Sequence, residues 1–309
     1  MIAKHQVFQK LLARMRRFAP VPTAVVHPCD DESLRGALDA ARRGLIKPIL
    51  VGPAAKIRRV AATCGLNISG CELIATEHSH AAAAAAVALA RAGRVECLMK
   101  GSLHTDELMA AVVATDTGLR TARRVSHVFV LDVPAYPRPL LITDAAINIY
   151  PDLATKRDIV QNAIDLAHAL GITRPRVAIL SAIETVTPKI PSTVDAAALC
   201  KMAERGQITG GLLDGPLSFD IAISEAARRA KRVKSLVAGR PDVLVVPDLE
   251  AGNMLVKQLQ YLAGAHAAGI VLGARVPIAL TSRADTAPAR TASAAIAVLL
   301  SAHLRKSRK

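Results

Sequence analysis

Tryptophan is missing from this chain, and the other aromatics are scarce: three Tyr and four Phe in 309 residues. Sequence-tolerant binding of single-stranded nucleic acid relies on aromatic platforms for base stacking, so that class loses its main support. A long apolar run is missing too. The longest, Ala81–Ala90, has ten residues, about half of the ~20 that a membrane-spanning helix needs. No membrane span is expected. The five cysteines (Cys29, Cys64, Cys71, Cys97, Cys200) form no C-x-x-C pair and no zinc-ligand spacing. They read as small buried hydrophobes, and an odd count without a secretion signal fits a reducing, cytoplasmic setting.

What is present is a half-hydrophobic, Ala-rich chain with a formal net charge of +15. That composition suits closely packed helices on a buried sheet, and the length suits two domains. The charge asks for anionic partners. Lys and Arg are spread along the sequence, with dense runs only at Arg228–Lys234 and Arg305–Lys309. Small polyanions such as phosphate or a nucleotide-bearing ligand suit a basic cleft as well as nucleic acid does. The basic N-terminus (Lys4, Lys10, Arg14, Arg16, Arg17) reads as an ordinary first helix in preference to a transit-like or membrane-surface segment.

Short apolar runs alternate with helix-length amphipathic segments. Strands are expected over Ala24–Val26, Pro48–Val51, Val95–Met99, His127–Leu131, Leu140–Ile142, Val177–Leu180, Val243–Val246 and Val276–Leu280. A helix is expected from Asp31 to before Gly44. Another runs from an Asp152 N-cap, through an inward stripe of Val160, Ala163, Ile164, Ala167 and Leu170, to Gly171. Further helices are expected over His80–Ala92, Ser192–Arg205, Phe219–Arg232, Gly252–Ala268 and Ala289–Leu304. The alternation implies an α/β fold of mainly parallel βαβ units with helices on both faces. Prolines 134, 137 and 139 mark a plausible boundary around Pro134–Tyr150.

In open α/β sheets ligands gather outside the carboxyl ends of strands, so polar clusters after apolar runs matter most. Ser282, Arg283 and Asp285 follow Val276–Leu280. There a guanidinium clamps phosphate, a hydroxyl donates to developing charge, and a carboxylate accepts a proton. Lys100 and Gly101 follow Val95–Met99, offering a counter-charge and close backbone approach. Thr143, Asp144 and Asn148 follow Leu140–Ile142. Asp214 and Gly215 end another run, and Asp248 and Asn253 open a helix after Val243–Val246. Each cluster alone also suits a turn or a helix cap. His104 and His127 could serve as bases, but with no acidic partner apparent in the sequence each reads more readily as a satisfied side chain, and Cys97 reads as core rather than nucleophile.

Taken in order, Lys100-Gly101, Thr143–Asn148, Asp214–Leu217, Pro247–Asn253 and Thr281–Asp285 resemble the phosphate acetyltransferase and phosphate butyryltransferase family. Arg124–Asp132, Ile147–Ala163, Lys201–Gly210 (K-M-A-E-R-G-Q-I-T-G) and Val237–Arg240 are similar to it as well, so the likeness covers most of the chain from about Val95 onward. The resemblance implies a cytoplasmic enzyme, usually a homodimer, that interconverts acyl-CoA plus phosphate with acyl phosphate plus CoA. It implies no tightly bound cofactor and no metal, with CoA as a substrate. It also implies two α/β domains of the isocitrate/isopropylmalate-dehydrogenase-like type with a cleft between them. By that analogy the first domain spans residues 1–142 plus 269–309 and carries Ser282, Arg283 and Asp285, and the second spans 143–268. Asp285 is then the base, Arg283 the phosphate and oxyanion clamp, and Ser282 the hydrogen-bond donor. Lys100, Gly101, Arg120, Thr143, Asp144, Asp214, Gly215, Asp248 and Asn253 bind substrate.

The chain departs from the acetyl branch in two places. That branch has an arginine shortly after its H-T-T segment, whereas here His104-Thr105 leads to Leu108-Met109-Ala110. It also carries a carboxylate several residues beyond the S-R pair, whereas Thr286–Arg290 contains no acid. Both departures resemble the butyryl branch and leave acyl preference and base identity open. Rival readings are a metal- and NAD-dependent decarboxylating dehydrogenase of the same fold and a non-catalytic CoA-binding regulator. The first lacks a D-x-x-x-D motif and a G-x-G-x-x-G after a strand.

Overall fold

The computed structural model describes residues 7–15, 17–282 and 285–307, and Arg283 and Ala284 therefore lie outside the described residues. Among the described residues the chain divides into two units, one built from Phe8–Arg123 and the segment from Ala268 onward, the other from Arg124–Ala267. The crossings thus fall at Arg124 and Ala268, the first of them ahead of Ile142.

The first unit is built in chain order from α1 (Val7–Met15), β1 (Val21–Val26), α2 (Asp31–Arg42), β2 (Ile46–Gly52), α3 (Ala54–Thr63), β3 (Glu72–Ala75), α4 (Ser79–Arg91), β4 (Cys97–Lys100) and α5 (Thr105–Val113). The second unit follows with β5 (Ser126–Asp132), β6 (Leu140–Thr143), α6 (Leu153–Ala169), β7 (Arg176–Leu180), α7 (Pro191–Glu204), β8 (Leu212–Leu217), α8 (Phe219–Ile223), α9 (Glu225–Ala230), β9 (Val243–Val245) and α10 (Leu249–Leu262). The chain then returns through β10 (His266–Leu272), β11 (Ile278–Ala279) and α11 (Ala287–Ser307).

In the first unit the strands lie in the order β3-β2-β1-β4-β11-β10. Every pair is parallel except β10 with β11. In the second unit the order is β5-β6-β9-β7-β8, parallel except for β5 with β6. The mixed α/β, mainly parallel architecture expected from the alternation is therefore present. β5 and β6 belong with the second unit because β6 completes a parallel ladder with β9, Thr143 opposite Val245.

Local chemistry explains the helix bounds. The Asp30 carboxylate caps α2 by accepting the Ser33 N–H at 2.8 Å, and Asp31 and Glu32 place negative charge in its first turn. Asp152 caps α6 by accepting the Thr155 N–H at 2.8 Å, the stripe from Val160 to Ala167 is buried, and Gly171 ends it with φ 92. With few aromatics, the core fills by close approach of small residues. In α4 Ala82, Ala83 and Ala86 are fully buried.

Three expectations need correction. Gly252–Ala268 is not one helix: α10 runs from Leu249 to Leu262, and the next apolar run is the buried strand β10. A strand buried on both faces shows no alternation and mimics a helix continuation. Phe219–Arg232 breaks at Ser224, whose backbone is extended and whose hydroxyl accepts the Ala227 N–H at 3.2 Å to start α9. Asp214 and Gly215 lie within β8 rather than beyond it.

Candidate active site

β1, β4 and β11 are parallel neighbours, so their carboxyl ends share one edge of the first unit. There β4 ends at the buried Lys100. Gly101 leaves the strand against β1, its N–H donating to the Val26 carbonyl at 2.9 Å. A Cβ at Gly101 would meet the Val26 carbonyl oxygen and lie 2.5 Å from that of His27, so backbone packs on backbone where only glycine fits. Ser102 continues the contact: its N–H donates to the His27 carbonyl at 3.0 Å and its hydroxyl donates to the same oxygen at 2.9 Å.

Beyond β11, Thr281 is buried and Ser282 is exposed. The loop closes on itself, because the Ser282 N–H donates to the Asp285 carboxylate at 2.7 Å and the Asp285 N–H to the Ser282 carbonyl at 3.1 Å. Arg290, from the first turns of α11, lies fully buried beneath it. Its guanidinium donates to the carbonyls of Ser282 at 3.1 Å, Lys100 at 3.2 Å and Asp285 at 3.3 Å. Burial lowers the pKa of this guanidinium, and Asp30, Asp285 and Glu32 act in the opposite direction. The structure thus brings together Lys100, Gly101, Ser282 and Asp285. Arg120 stands apart from them. It is exposed and bridges Ala274, on the segment that enters β11, at the opposite end of that strand from Ser282.

In the second unit Thr143 ends β6 with its hydroxyl donating to the His127 carbonyl at 2.8 Å. Asp144 is buried. Its carboxylate accepts from the backbone N–H groups of Ala146 (3.0 Å), Ile147 (3.1 Å), His127 (3.2 Å) and Asn148 (3.3 Å) and from the Asn148 side chain (2.7 Å). One carboxylate therefore organises the whole turn. Asn253 donates to the Ala145 carbonyl at 3.2 Å, and a Cβ at Gly252 would lie 2.6 Å from Val246 and 2.9 Å from Ala145, so α10 rests directly on that turn. Asp248 caps α10 by accepting the Ala251 N–H at 2.9 Å. In β8, Asp214 accepts the Gly215 N–H at 2.9 Å and stands level with Ala178 of β7. That is roughly 14 Å across the sheet from β6, at ~4.8 Å per strand.

Residues 75–298 match the family described as "Phosphate acetyl/butaryl transferase". The chain belongs to this phosphate acetyl/butyryl transferase family. It is 63% identical over 303 residues to a phosphate acetyltransferase of Rhizobium meliloti, covering 98% of this chain and 96% of the relative. It is 38% identical over 293 residues to a phosphate butyryltransferase of Clostridium acetobutylicum, covering 95% and 97%. Among solved structures, a branched-chain phosphotransacylase from Enterococcus faecalis V583 superimposes with a TM-score of 0.79 at 29% identity, covering 91% of this chain and 99% of that one. The family match begins at residue 75, ahead of the Val95 at which the sequence resemblance becomes evident.

In this member of the phosphate acetyl/butyryl transferase family, Arg290 and His27, neither of them singled out from the sequence, lie at the same edge, and Ser102 directly follows Gly101. An arginine inside the Ala-rich stretch Ala287–Leu300 was a usable signal, because a cation on a buried helix face must find acceptors. His27 directly follows the β1 run, where the strand-end rule applies as it does to Lys100. The environments of Cys29, Cys97 and Cys200 favour the neutral thiol. Burial pushes the Cys29 thiol up to about 11 and Cys97 and Cys200 up to about 12. His127 is buried, its ring edge-on to Phe129 at 4.4 Å. Among the described residues no helix is long and apolar enough to cross a membrane.

Proposed function

We propose that this chain interconverts acyl-CoA plus phosphate with acyl phosphate plus CoA, with acetyl as the preferred acyl group. The carrying observation is the placement of Lys100, Gly101 and Ser282 at one strand edge, laced together by Arg290, in a chain of this family. Arg283 clamps phosphate and the developing oxyanion, and Ser282 donates a hydrogen bond to the reacting carbonyl. Lys100 supplies positive charge and Gly101 lets the backbone approach the ligand. The thiol of CoA also needs a proton acceptor, and Asp285 has the right chemical type. Arg120 contacts an anionic part of CoA away from the reacting atoms. In the second unit Thr143, Asp144, Asp214, Gly215, Asp248 and Asn253 shape the strand-end loops that bind substrate, and the polar network around Asp144 supports that role. CoA is a substrate rather than a resident cofactor. The preference for acetyl rests on the greater likeness to the acetyl-named relative.

The enzyme acts as a cytoplasmic homodimer. The free cysteines support a reducing compartment. A stripe on α10 supports the dimer: Met254, Tyr261 and Leu262 are 66%, 76% and 80% exposed and share one helical face at i, i+7, i+8. The function is tested by incubating the protein with acetyl-, propionyl- or butyryl-CoA, with and without phosphate and without added metal, and following free thiol. Phosphate-dependent release, fastest with acetyl-CoA, is the expected result. Release that ignores phosphate, or none with any acyl-CoA, overturns the reading.

A further inference from the structure

We propose that His27 is the group that takes the CoA thiol proton, with Ser102 fixing which ring nitrogen is basic; this rests on the acyltransfer reading above. His27 follows β1 at the same edge as Lys100 and Gly101. Its backbone is left-handed, φ 55, a conformation uncommon outside glycine and one that points to a constraint beyond packing. Hydrogen bonds hold it there. Its N–H donates to the Val51 carbonyl at 2.7 Å, and its own carbonyl accepts from the N–H groups of Cys29 at 2.9 Å and Ser102 at 3.0 Å.

The Ser102 hydroxyl has one proton, and it goes to the His27 carbonyl at 2.9 Å. Its oxygen therefore accepts from the Cys29 N–H at 3.2 Å and from His27 Nδ1 at 3.2 Å. The single N–H of the neutral imidazole then sits on Nδ1, and Nε2 presents a lone pair. The ring is half-buried, open enough to reach a substrate. Burial first and then Lys56 of α3 keep it below the ordinary histidine value. Glu107 of α5, the ring's own backbone hydrogen bond and Asp30 at the start of α2 act the other way. The net effect favours the neutral ring. Glu107, whose Oε2 is buried with no hydrogen-bond partner, offsets the positive charge that appears when Nε2 is protonated.

In the direction from acyl phosphate, Nε2 takes the thiol proton as sulfur attacks the acyl carbon. The C–S bond forms, the bond from that carbon to the phosphate oxygen breaks, and its electron pair leaves with phosphate. In the reverse direction phosphate attacks acyl-CoA, and the imidazolium returns its proton to the departing thiolate. An imidazole, ordinarily near pKa 6.5, is a stronger acceptor toward a thiol than an ordinary carboxylate near 4, so His27 suits the task better than Asp285 by chemical type.

His27→Asn tests this. Asparagine tolerates the left-handed backbone, and its amide N–H takes the place of Nδ1 against Ser102, but no base remains where Nε2 was. The expected result is a fall in kcat of about 10²- to 10⁴-fold, KM for acyl phosphate within about twofold, and loss of the acid limb in the pH profile of kcat/KM. Asp285→Asn keeps that limb. A folded His27→Asn within about threefold of wild type, with the limb intact, overturns the proposal. Nitrogen-15 NMR of the wild-type ring decides independently of whether the variant folds. Protonated Nδ1 with bare Nε2 at pH 7 is expected, and the opposite tautomer or an imidazolium overturns it. A wild type without phosphate-dependent thiol release sinks the acyltransfer reading instead, whatever the ring's tautomer.

Discussion

The Arg290 guanidinium donates to the carbonyl of Ser282 at 3.1 Å while another of its nitrogens donates to Lys100 at 3.2 Å. A single buried side chain therefore ties the exit of β11 to the exit of β4. Without it the buried Lys100 carbonyl loses a charged donor, at about 1–3 kcal/mol for a stranded group, and the part-buried Ser282 carbonyl keeps only the Asp285 N–H. Arg290→Met is expected to lower the melting temperature by several degrees, at about 2–4 °C per kcal/mol for a chain of this size. It is also expected to cut kcat at least about tenfold by loosening the Ser282 loop. Calorimetry and steady-state rates on the same preparation check both.

Gly101→Ala strikes backbone rather than a yielding side chain, because the new methyl would stand 2.5 Å from the His27 oxygen and 2.7 Å from its carbonyl carbon. Overpacking of this kind costs about 1–3 kcal/mol or more. Urea unfolding is expected to show a lower midpoint with an unchanged slope. The activity loss is expected to exceed what the stability change alone explains, since β1 and β4 separate at the site.

Asp144→Ala leaves four backbone N–H groups and the Asn148 amide facing a missing acceptor. The cost is expected to be at least about 3 kcal/mol, larger than for Asp248→Ala, which removes one helix cap worth about 1 kcal/mol. Paired denaturation curves of the two variants test the ordering.

Three thiols give a prediction with a definite sign. Their folded-state values of about 11 for Cys29 and about 12 for Cys97 and Cys200 lie above the ordinary 9.0. The neutral thiol is thus favoured in the folded state. That contribution is complete below pH 9 and is lost as pH rises toward 12. Stability is expected to decline across this alkaline window. Iodoacetamide at pH 8 is expected to leave these three residues unmodified in the native protein, as peptide mass spectrometry after a timed quench would show.

The α10 stripe carries the oligomer prediction. Tyr261→Lys with Leu262→Lys places charge on the exposed apolar face, and sedimentation velocity is expected to shift from dimer to monomer with the fold retained by circular dichroism.

Much of this organisation is legible in the sequence, for identifiable reasons. Asp152 and Gly171 punctuate α6 because a carboxylate cap and a positive-φ residue are local requirements that show in local sequence. The apolar runs ending at Lys100 and before Ser282 mark strand exits for the same reason. The rest depends on contacts between distant segments. His266–Ala268, the start of β10, reads as the tail of a helix because burial of Ala267–Leu272 on both faces erases the alternation that would mark a strand. Arg290 reads as one more helical residue, since its value lies in carbonyls at 100, 282 and 285. His27 stood at a strand exit all along, but its link to Ser102 is made 75 residues away.

The most direct test of acyl transfer at the β4–β11 edge is phosphorus NMR of acetyl-CoA mixed with phosphate, with thiol measured in the same tube. The account predicts one acyl phosphate formed for each thiol released by the wild type, and a large drop in both for Ser282→Ala. Thiol release without acyl phosphate, or a Ser282→Ala variant as active as the wild type, would contradict it.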